Sequence, residues 1–383
     1  MSDQTSSTLE SGLPSTDYYA PDFLVEVEGR EIDSESKGDV LEVKVTMDLD
    51  NLTSCELTIN NWDDRLLSFK YSDTSTFDIG NRVEVSMGYA DSLRSMLRGQ
   101  VSSLSPRFPE SGPPTINVTV LDCMLKLRDR QPAPDDVKRY EKKADWQIAQ
   151  VIAKRNGLRA VVTQTGETHD QVIQKNQDDA QFLIERAKRI DFDCFVQTDP
   201  MTGEDVLYFT EPKDGREASP LRVYRLVWGE SLINFSPTLT LSRQVESVTV
   251  RGWDPRTKSP IACTATSSDL PGSTNGGTSG PAAAAKSLPG KQQTIIDAPV
   301  TSEQEAQDLA TSLLCERAYE FITGSGKVIG LPDLRPGDNL ELLGLGKRFE
   351  GTYYVKKVTH TLGNSGYTTD FEVRKVYDGG VEA

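Results

Sequence analysis

From Phe23 onward, apolar and polar positions alternate. Phe23, Val25 and Val27 fall on one face of an extended segment, as do Leu41, Val43, Val45 and Met47, then Leu57 and Ile59. Period-two alternation marks strands with one buried and one solvated face. Turn signals at Gly29, Gly38, Gly80, Gly88, Gly99 and Gly112-Pro113-Pro114 separate six or seven such strands, and an antiparallel barrel or sandwich is the expected closure. After Gln131-Pro132-Ala133-Pro134 the period lengthens. Asp145 is placed to cap a helix with Ile148, Val151 and Ile152 on one face, stopped at Asn156-Gly157. A second helix is predicted over about 178–189, where Ala180, Leu183, Ile184 and Ala187 recur at three and four. Short strands at 158–162, 194–196 and 206–209 complete an α+β segment. Strand-like runs return at 232–235 and 245–252. Residues 264–292, rich in Ser, Thr, Gly, Ala and Pro, are predicted to be a mobile loop. Thr301 and Gln304 resemble a capping box ahead of a helix bearing Ala306, Leu309, Ala310, Leu313 and Leu314.

The run from Leu334 to Tyr377 restates the run from Phe77 to Leu121. Ile79-Gly80-Asn81 leads into the strand of Val83 and Val85, a turn at Gly88, then Arg98-Gly99, Val101 and Leu104, and a return through Ile116, Val118 and Val120. Pro336-Gly337-Asp338 leads likewise into Leu340 and Leu342, turns at Gly344 and Gly346, then Glu350-Gly351, Val355 and Val358, and a return through Phe371 and Val373. An internal repeat outranks other fold signals. The fold class expected is α+β, predominantly β, with two similar antiparallel β-barrel modules flanking an α+β insertion. The boundaries are a flexible N-terminus over 1–20, a first barrel over 21–130, the insertion over 131–240, and a second barrel over 241–383 containing the mobile loop and a helix over 302–319. Matching Gly80 and Gly99 to Gly337 and Gly351 gives the first copy the longer excursion.

Bulk properties fit several polar-surfaced β modules. Of 383 residues, 36% are hydrophobic and 26% charged, with a mean hydropathy of -0.46. No run approaches the roughly 18 to 20 apolar residues of a membrane helix, so no membrane insertion is expected. The Ser- and Thr-rich start has neither the basic stretch nor the apolar block of a signal peptide, so synthesis and folding in a cytosol are expected. A formal charge of -16 argues against a specific nucleic-acid partner, since phosphate binding relies on Lys and Arg. The cysteines Cys55, Cys123, Cys194, Cys263 and Cys315 are odd in number, far apart and without a C-x-x-C pair, favouring reduced, mostly buried thiols over disulfides or zinc.

Catalytic chemistry is scarce. The two histidines, His169 in a polar stretch and His360 on a strand, have no evident acid or base partner, and read as a surface residue and a hydrogen-bonded structural residue. Gly324-Ser325-Gly326-Lys327 departs from the phosphate-loop pattern at Phe321 and Val328. The acid pairs Asp63-Asp64, Asp135-Asp136 and Asp178-Asp179 read as solvated charges, and Cys123 as a buried thiol without a base. No catalytic, cofactor-binding or metal-ligating residue is assigned, and no enzyme activity or cofactor is expected.

The arrangement resembles a known family. Ile79-Gly80-x-x-Val83 leading to Gly88-Tyr89 and Gly99, with Tyr354-Val355-x-x-Val358-x-His360 and Tyr367-Thr368-Thr369 after the insertion, is similar to the phage late control D family of contractile-tail baseplate hubs. It is also similar to the N-terminal hub part of valine-glycine repeat (VgrG) spike proteins of type VI secretion and extracellular injection systems. The resemblance implies a homotrimer whose six modules form a pseudo-sixfold ring between a trimeric spike and the hexameric inner tube. Its implied partners are tube or tube-initiator proteins and other baseplate proteins, within a phage tail or injection particle. Because the chain ends at Ala383, directly after the second repeat, a separate spike protein is expected. The alternative is a carbohydrate- or cell-wall-binding module, or a peptidoglycan hydrolase accessory, using Trp62, Trp146, Trp228 and Trp253 as stacking surfaces. Core packing is the expected use of those four.

Overall fold

The computed structural model describes residues 10–11, 20–90, 92–122, 124–128, 138–165, 168–199, 202–212, 223–271, 277–296 and 298–380. Most of the N-terminal segment expected to be flexible lies outside the described residues, as do Cys123, Asp135, Asp136 and 131–134. Glu10 and Ser11 of that segment pair in parallel with Tyr224 and Arg225.

Twelve strands build two halves of one sheet. In the first half they are β1 (Pro21–Val27), β2 (Val40–Asp48), β3 (Ser54–Asn60), β4 (Arg82–Tyr89), β5 (Ser92–Arg107) and β6 (Thr115–Asp122). The second half has β7 (Val223–Val227), β8 (Leu232–Leu239), β9 (Ile322–Ile329), β10 (Asn339–Leu343), β11 (Gly351–Gly363) and β12 (Gly366–Lys375). Side by side, the first six run β1-β4-β5-β6-β3-β2 and the second six β7-β10-β11-β12-β9-β8. The order is the same, each strand matching the one six later. One pairing differs: β1 is antiparallel to β4, whereas β7 is parallel to β10.

The register repeats as well. Val43, Leu57, Val118 and Leu104 are successive partners across β2, β3, β6 and β5. Phe235, Gly326, Phe371 and Val358 are successive partners across β8, β9, β12 and β11. Gly80 donates to the Val101 carbonyl and Val101 to the Asn81 carbonyl, both at 2.9 Å; Gly337 to Val355 and Val355 to Asp338 repeat this at 2.9 Å. Both glycines hold φ +90°, a region that disfavours a Cβ. One residue beyond each valine the strand bulges, at Ser102 in β5 and Lys356 in β11. Gly99 pairs Val83 as Tyr353 pairs Leu340, so Gly351 corresponds to Leu97 and not to Gly99.

The expected barrels are not closed by hydrogen-bonded ladders among the described residues. A single 14-stranded sheet joins the halves, because the outer edge of β2 is taken by β11 of the other half. Each half has its own apolar core, one around Val45, Leu57, Val85 and Val118, the other around Leu340, Tyr353, Val358 and Phe371.

Two α+β units hang from the sheet. One follows β6 and includes α1 (Asp145–Arg155) and α2 (Asp179–Lys188) over two small sheets, with a core of Ile148, Ile152, Leu183, Leu207 and Phe209. Its core starts at Met124, and β7 and β8 belong to the sheet, so it does not extend to residue 240 as expected. The other lies between β8 and β9, where the first half has a short connection. It packs α3 (Gly280–Ser287) and α4 (Glu303–Ala318) with strands 247–254, 259–266 and 292–295. The expectation of a mobile loop over 264–292 is corrected here. Ser279 accepts the Ala282 N–H at 3.3 Å as N-cap, a proline follows in the first turn, and Ala282 to Ala285 continue with high helix propensity. Residues 272–276 of that stretch lie outside the described residues. The cap of α4 is Ser302, accepting from Glu305 at 3.0 Å, one residue beyond the expected Thr301.

Candidate functional site

The structural feature with most consequence is the joint between halves. The edge of β11 that pairs with β10 over Gly351 to Tyr354 turns, after the Lys356 bulge, to pair antiparallel with β2 from Lys357 opposite Asp48 to Gly363 opposite Glu42. A bulge re-aims a strand by inserting one residue, here redirecting the edge to a new partner. Leu49 donates to the Lys356 carbonyl at 3.2 Å, starting the ladder. The cross-strand pairs Met47 with Val358, Val45 with His360 and Val43 with Leu362 are all buried.

Above the joint lies a buried polar cluster. His360 Nε2 lies 3.2 Å from the Leu334 carbonyl, so the proton sits on Nε2, and Nδ1 accepts from Tyr367 Oη at 3.0 Å with Thr369 Oγ1 at 3.1 Å. Tyr89 of the first half donates to the Gly330 carbonyl at 2.8 Å. Arg335, fully inside, donates to the carbonyls of Pro332 at 2.6 Å and Leu334 and Ser95 at 3.0 Å. Arg94 pairs with Asp333 at 2.7 Å. The 330–335 loop is thereby clamped onto β4 and β5 of the other half. Burial, with the Arg335 charge adding to it, holds the His360 imidazole down at about 3. A neutral ring with both nitrogens engaged is structural and cannot serve as a base near neutrality.

The titratable clusters in the first α+β unit are partnered too. Asp179, expected in solvent, is fully buried. Burial alone would raise its carboxyl, but donors Gln174 at 2.8 Å, Arg155 Nε at 2.8 Å and Asn156 at 3.1 Å hold it below the usual range. Asp145 is not the cap but the first residue of α1, following Ala144. Arg186 grips it at 2.7 and 2.9 Å, and with His169 beside it keeps the carboxyl low against the opposing effect of burial. His169, expected on the surface, is largely covered. Its Nε2 lies 2.8 Å from the Arg186 guanidinium and 3.4 Å from Asp145 Oδ2. Sequence reading missed both clusters because the partners are 24 and 41 positions apart.

Asp145, His169 and Arg186 line a cleft of about 870 Å³ between this unit and α4, bridged by Arg189 to Glu305 at 2.7 Å. Among the described residues, no three His, Cys, Asp or Glu side chains cluster to hold a metal. Cys55, Cys194 and Cys315 are buried and Cys263 partly so; burial pushes the Cys55 thiol far up and Cys194 up to about 12, which suppresses nucleophilicity. Gly324 to Lys327 lies within β9, paired on both sides, and cannot cradle a phosphate. Trp62 packs on Phe69 at 5.4 Å, but Trp228 and Trp253 are 61% and 54% exposed, against the expectation of core packing. They stand in separate units, one after β7 and one on strand 247–254, and form no shared platform.

The first unit docks on the second half through Tyr354, whose hydroxyl bonds Asp193. Arg374 lies between the rings of Tyr319 and Tyr354 at 3.6 and 4.7 Å. No helix among the described residues is long and apolar enough to cross a membrane.

This architecture is shared with solved tail proteins. The 43 kDa tail protein of prophage MuSo2 from Shewanella oneidensis superposes with a TM-score of 0.68 at 14% identity, over 92% of this chain and 98% of that one. A tail protein from Neisseria meningitidis MC58 gives 0.66 at 13%, covering 93% and 97%. The E. coli c3393 protein, a component of the type VI secretion system, gives 0.57 at 12%, covering 94% and 78%. The fold is thus one used by phage tail and secretion-system proteins. The chain itself belongs to the Alg8 N-terminal domain family, which matches residues 19–364. No curated protein matches its sequence significantly.

Proposed function

We propose that the protein is a non-enzymatic baseplate hub of a contractile injection machine, of the late control D or VgrG type. Three copies form a ring that joins a trimeric spike to the hexameric inner tube, with other baseplate proteins around it, in a phage tail or injection particle. The observation that carries this reading is the doubled six-strand order with its repeated glycine corner. Closed rings need repeated interfaces, and three copies of a twice-repeated module offer six related positions. The halves differ in the direction of the first strand and in the unit inserted between β8 and β9, so the symmetry is pseudo-sixfold. The domain reading that goes with it is two sheet halves as ring modules, with the α+β units outside them.

The test is light scattering of the purified chain at micromolar and higher concentration, alone and with a trimeric spike and a tube protein from the same locus. Trimers that capture both partners are expected. A chain that stays monomeric throughout and binds neither would sink the reading.

A further inference from the structure

The joint within the chain has a counterpart that is left open. In the first half, the outer edge of β2 is covered by β11. In the second, the outer edge of β8 has no ladder partner among the described residues. Likewise β11 uses its edge beyond the bulge to hold β2, whereas β4 pairs with β5 only as far as Gln100, leaving that edge of Ser102 to Arg107 without a ladder partner among the described residues. The matched registers state which residues stand where. Leu239, Pro237 and Phe235 hold the positions of Met47, Val45 and Val43. Leu104, Pro106 and Phe108 hold those of Val358, His360 and Leu362.

The side chains at the closed joint are buried, while their apolar counterparts are not fully covered. Met47 and Val358 are 3% and 0% exposed, whereas Leu239 and Leu104 are half-buried; Leu362 is 9% exposed, whereas Phe108 is 63% exposed. Apolar residues at fixed cross-strand positions, left partly exposed on both edges, are what a missing strand pair leaves behind.

We propose that β8 of one copy pairs antiparallel with the Ser102 to Arg107 edge of β5 in the next copy. Leu239 then lies opposite Leu104 and Phe235 opposite Phe108, repeating between chains the joint that β2 and β11 make within one. This rests on the ring reading above and assigns its contact. Such a head-to-tail contact closes into a ring when its rotation fits, and the internal joint supplies that geometry for every second step. The polar face sets Ser103 and Ser105 against Thr240 and Thr238, with no like charges opposed. Pro106 faces Pro237 at the centre. By the same register this is a hydrogen-bonded position, and since neither proline carries an N–H, both bonds of that pair are missing. The intermolecular ladder is therefore interrupted there and weaker than the internal one, and the free edges resist indiscriminate pairing.

Because the Lys356 carbonyl accepts from Leu49, even-numbered residues of β11 turn their backbone toward the partner strand. By the same register Ser105 and Thr238 form a non-hydrogen-bonded pair, with Cβ atoms close enough for a disulfide. The experiment oxidises the double variant Ser105→Cys/Thr238→Cys beside wild type, each single variant and the out-of-register pair Ser105→Cys/Ser242→Cys, with light scattering of each. Expected are reducible dimers and trimers, and nothing larger, for the in-register pair alone. A trimer without that cross-link overturns the edge pairing and leaves the hub reading standing. Absence of both oligomer and cross-link overturns the two together, and cross-linked chains beyond trimer overturn ring closure. Leu104→Glu is expected to give monomers with an unchanged circular dichroism spectrum, and a persisting trimer would reject the contact.

Discussion

His360 and Asp122 pull the pH dependence of stability in opposite directions. His360 is held at about 3, below its ordinary value of 6.5, by burial first and then by the Arg335 charge. The unfolded chain takes up that proton as pH falls below 6.5 and the folded one refuses it, so stability is present above 6.5 and is lost toward pH 3. Asp122 is pushed up from 3.8 to about 7 by burial, despite N–H groups donated by Thr53 and Met124 at 3.0 Å. Its contribution is present below about 4 and lost as pH rises through 7. Each acts at up to about 1.4 kcal/mol per pH unit, so the two largely cancel between pH 4.5 and 6.5. In urea unfolding series across that window, His360→Gln is expected to make stability fall with rising pH, and Asp122→Asn to make it rise. Asp122→Asn also loses an acceptor for one N–H, at a cost of about 1–3 kcal/mol. Unchanged slopes in both variants would refute the assigned burial effects.

At the scale of elements, the glycine corners carry the repeat and are where it can be broken. A side chain at φ +90° stores strain of about 1–3 kcal/mol, so Gly80→Val and Gly337→Val should each lower the unfolding free energy by about that amount. Gly38→Ala, in the short helix Ser34–Asp39 with no atom near its Cβ position, should raise stability by up to about 1 kcal/mol. Equal losses at all three sites would contradict the corner assignment. These corners were legible because only a narrow backbone geometry places glycine before the polar residue that opens a strand. The joint was not, because β2 and β11 are some 300 residues apart and alternation specifies a strand's faces, not its neighbour. Helix α3 escaped notice for another reason. It buries Gly280, Pro281 and Ala284, small residues that leave no apolar stripe. His169 and Asp179 read as surface groups because burial of a charge depends on donors brought by folding.

For the whole molecule, charge and contact chemistry lead to a test of how the ring holds together. Each chain carries a formal charge of -16, so three copies brought together repel one another. The proposed contact sets leucine, phenylalanine and hydroxyl side chains against one another, with no ion pair of its own to be screened. Salt shortens the reach of the repulsion from about 30 Å at 0.01 M to about 10 Å at 0.1 M while leaving apolar contact intact. Sedimentation velocity should therefore show tighter trimers at higher salt, with the apparent dissociation constant falling roughly tenfold or more across that range, by about 1.4 kcal/mol. A ring held by ion pairs would respond in the opposite sense and loosen as salt is added. That result would move the contact away from Leu104 and Leu239 and toward the charged outer surfaces of the α+β units.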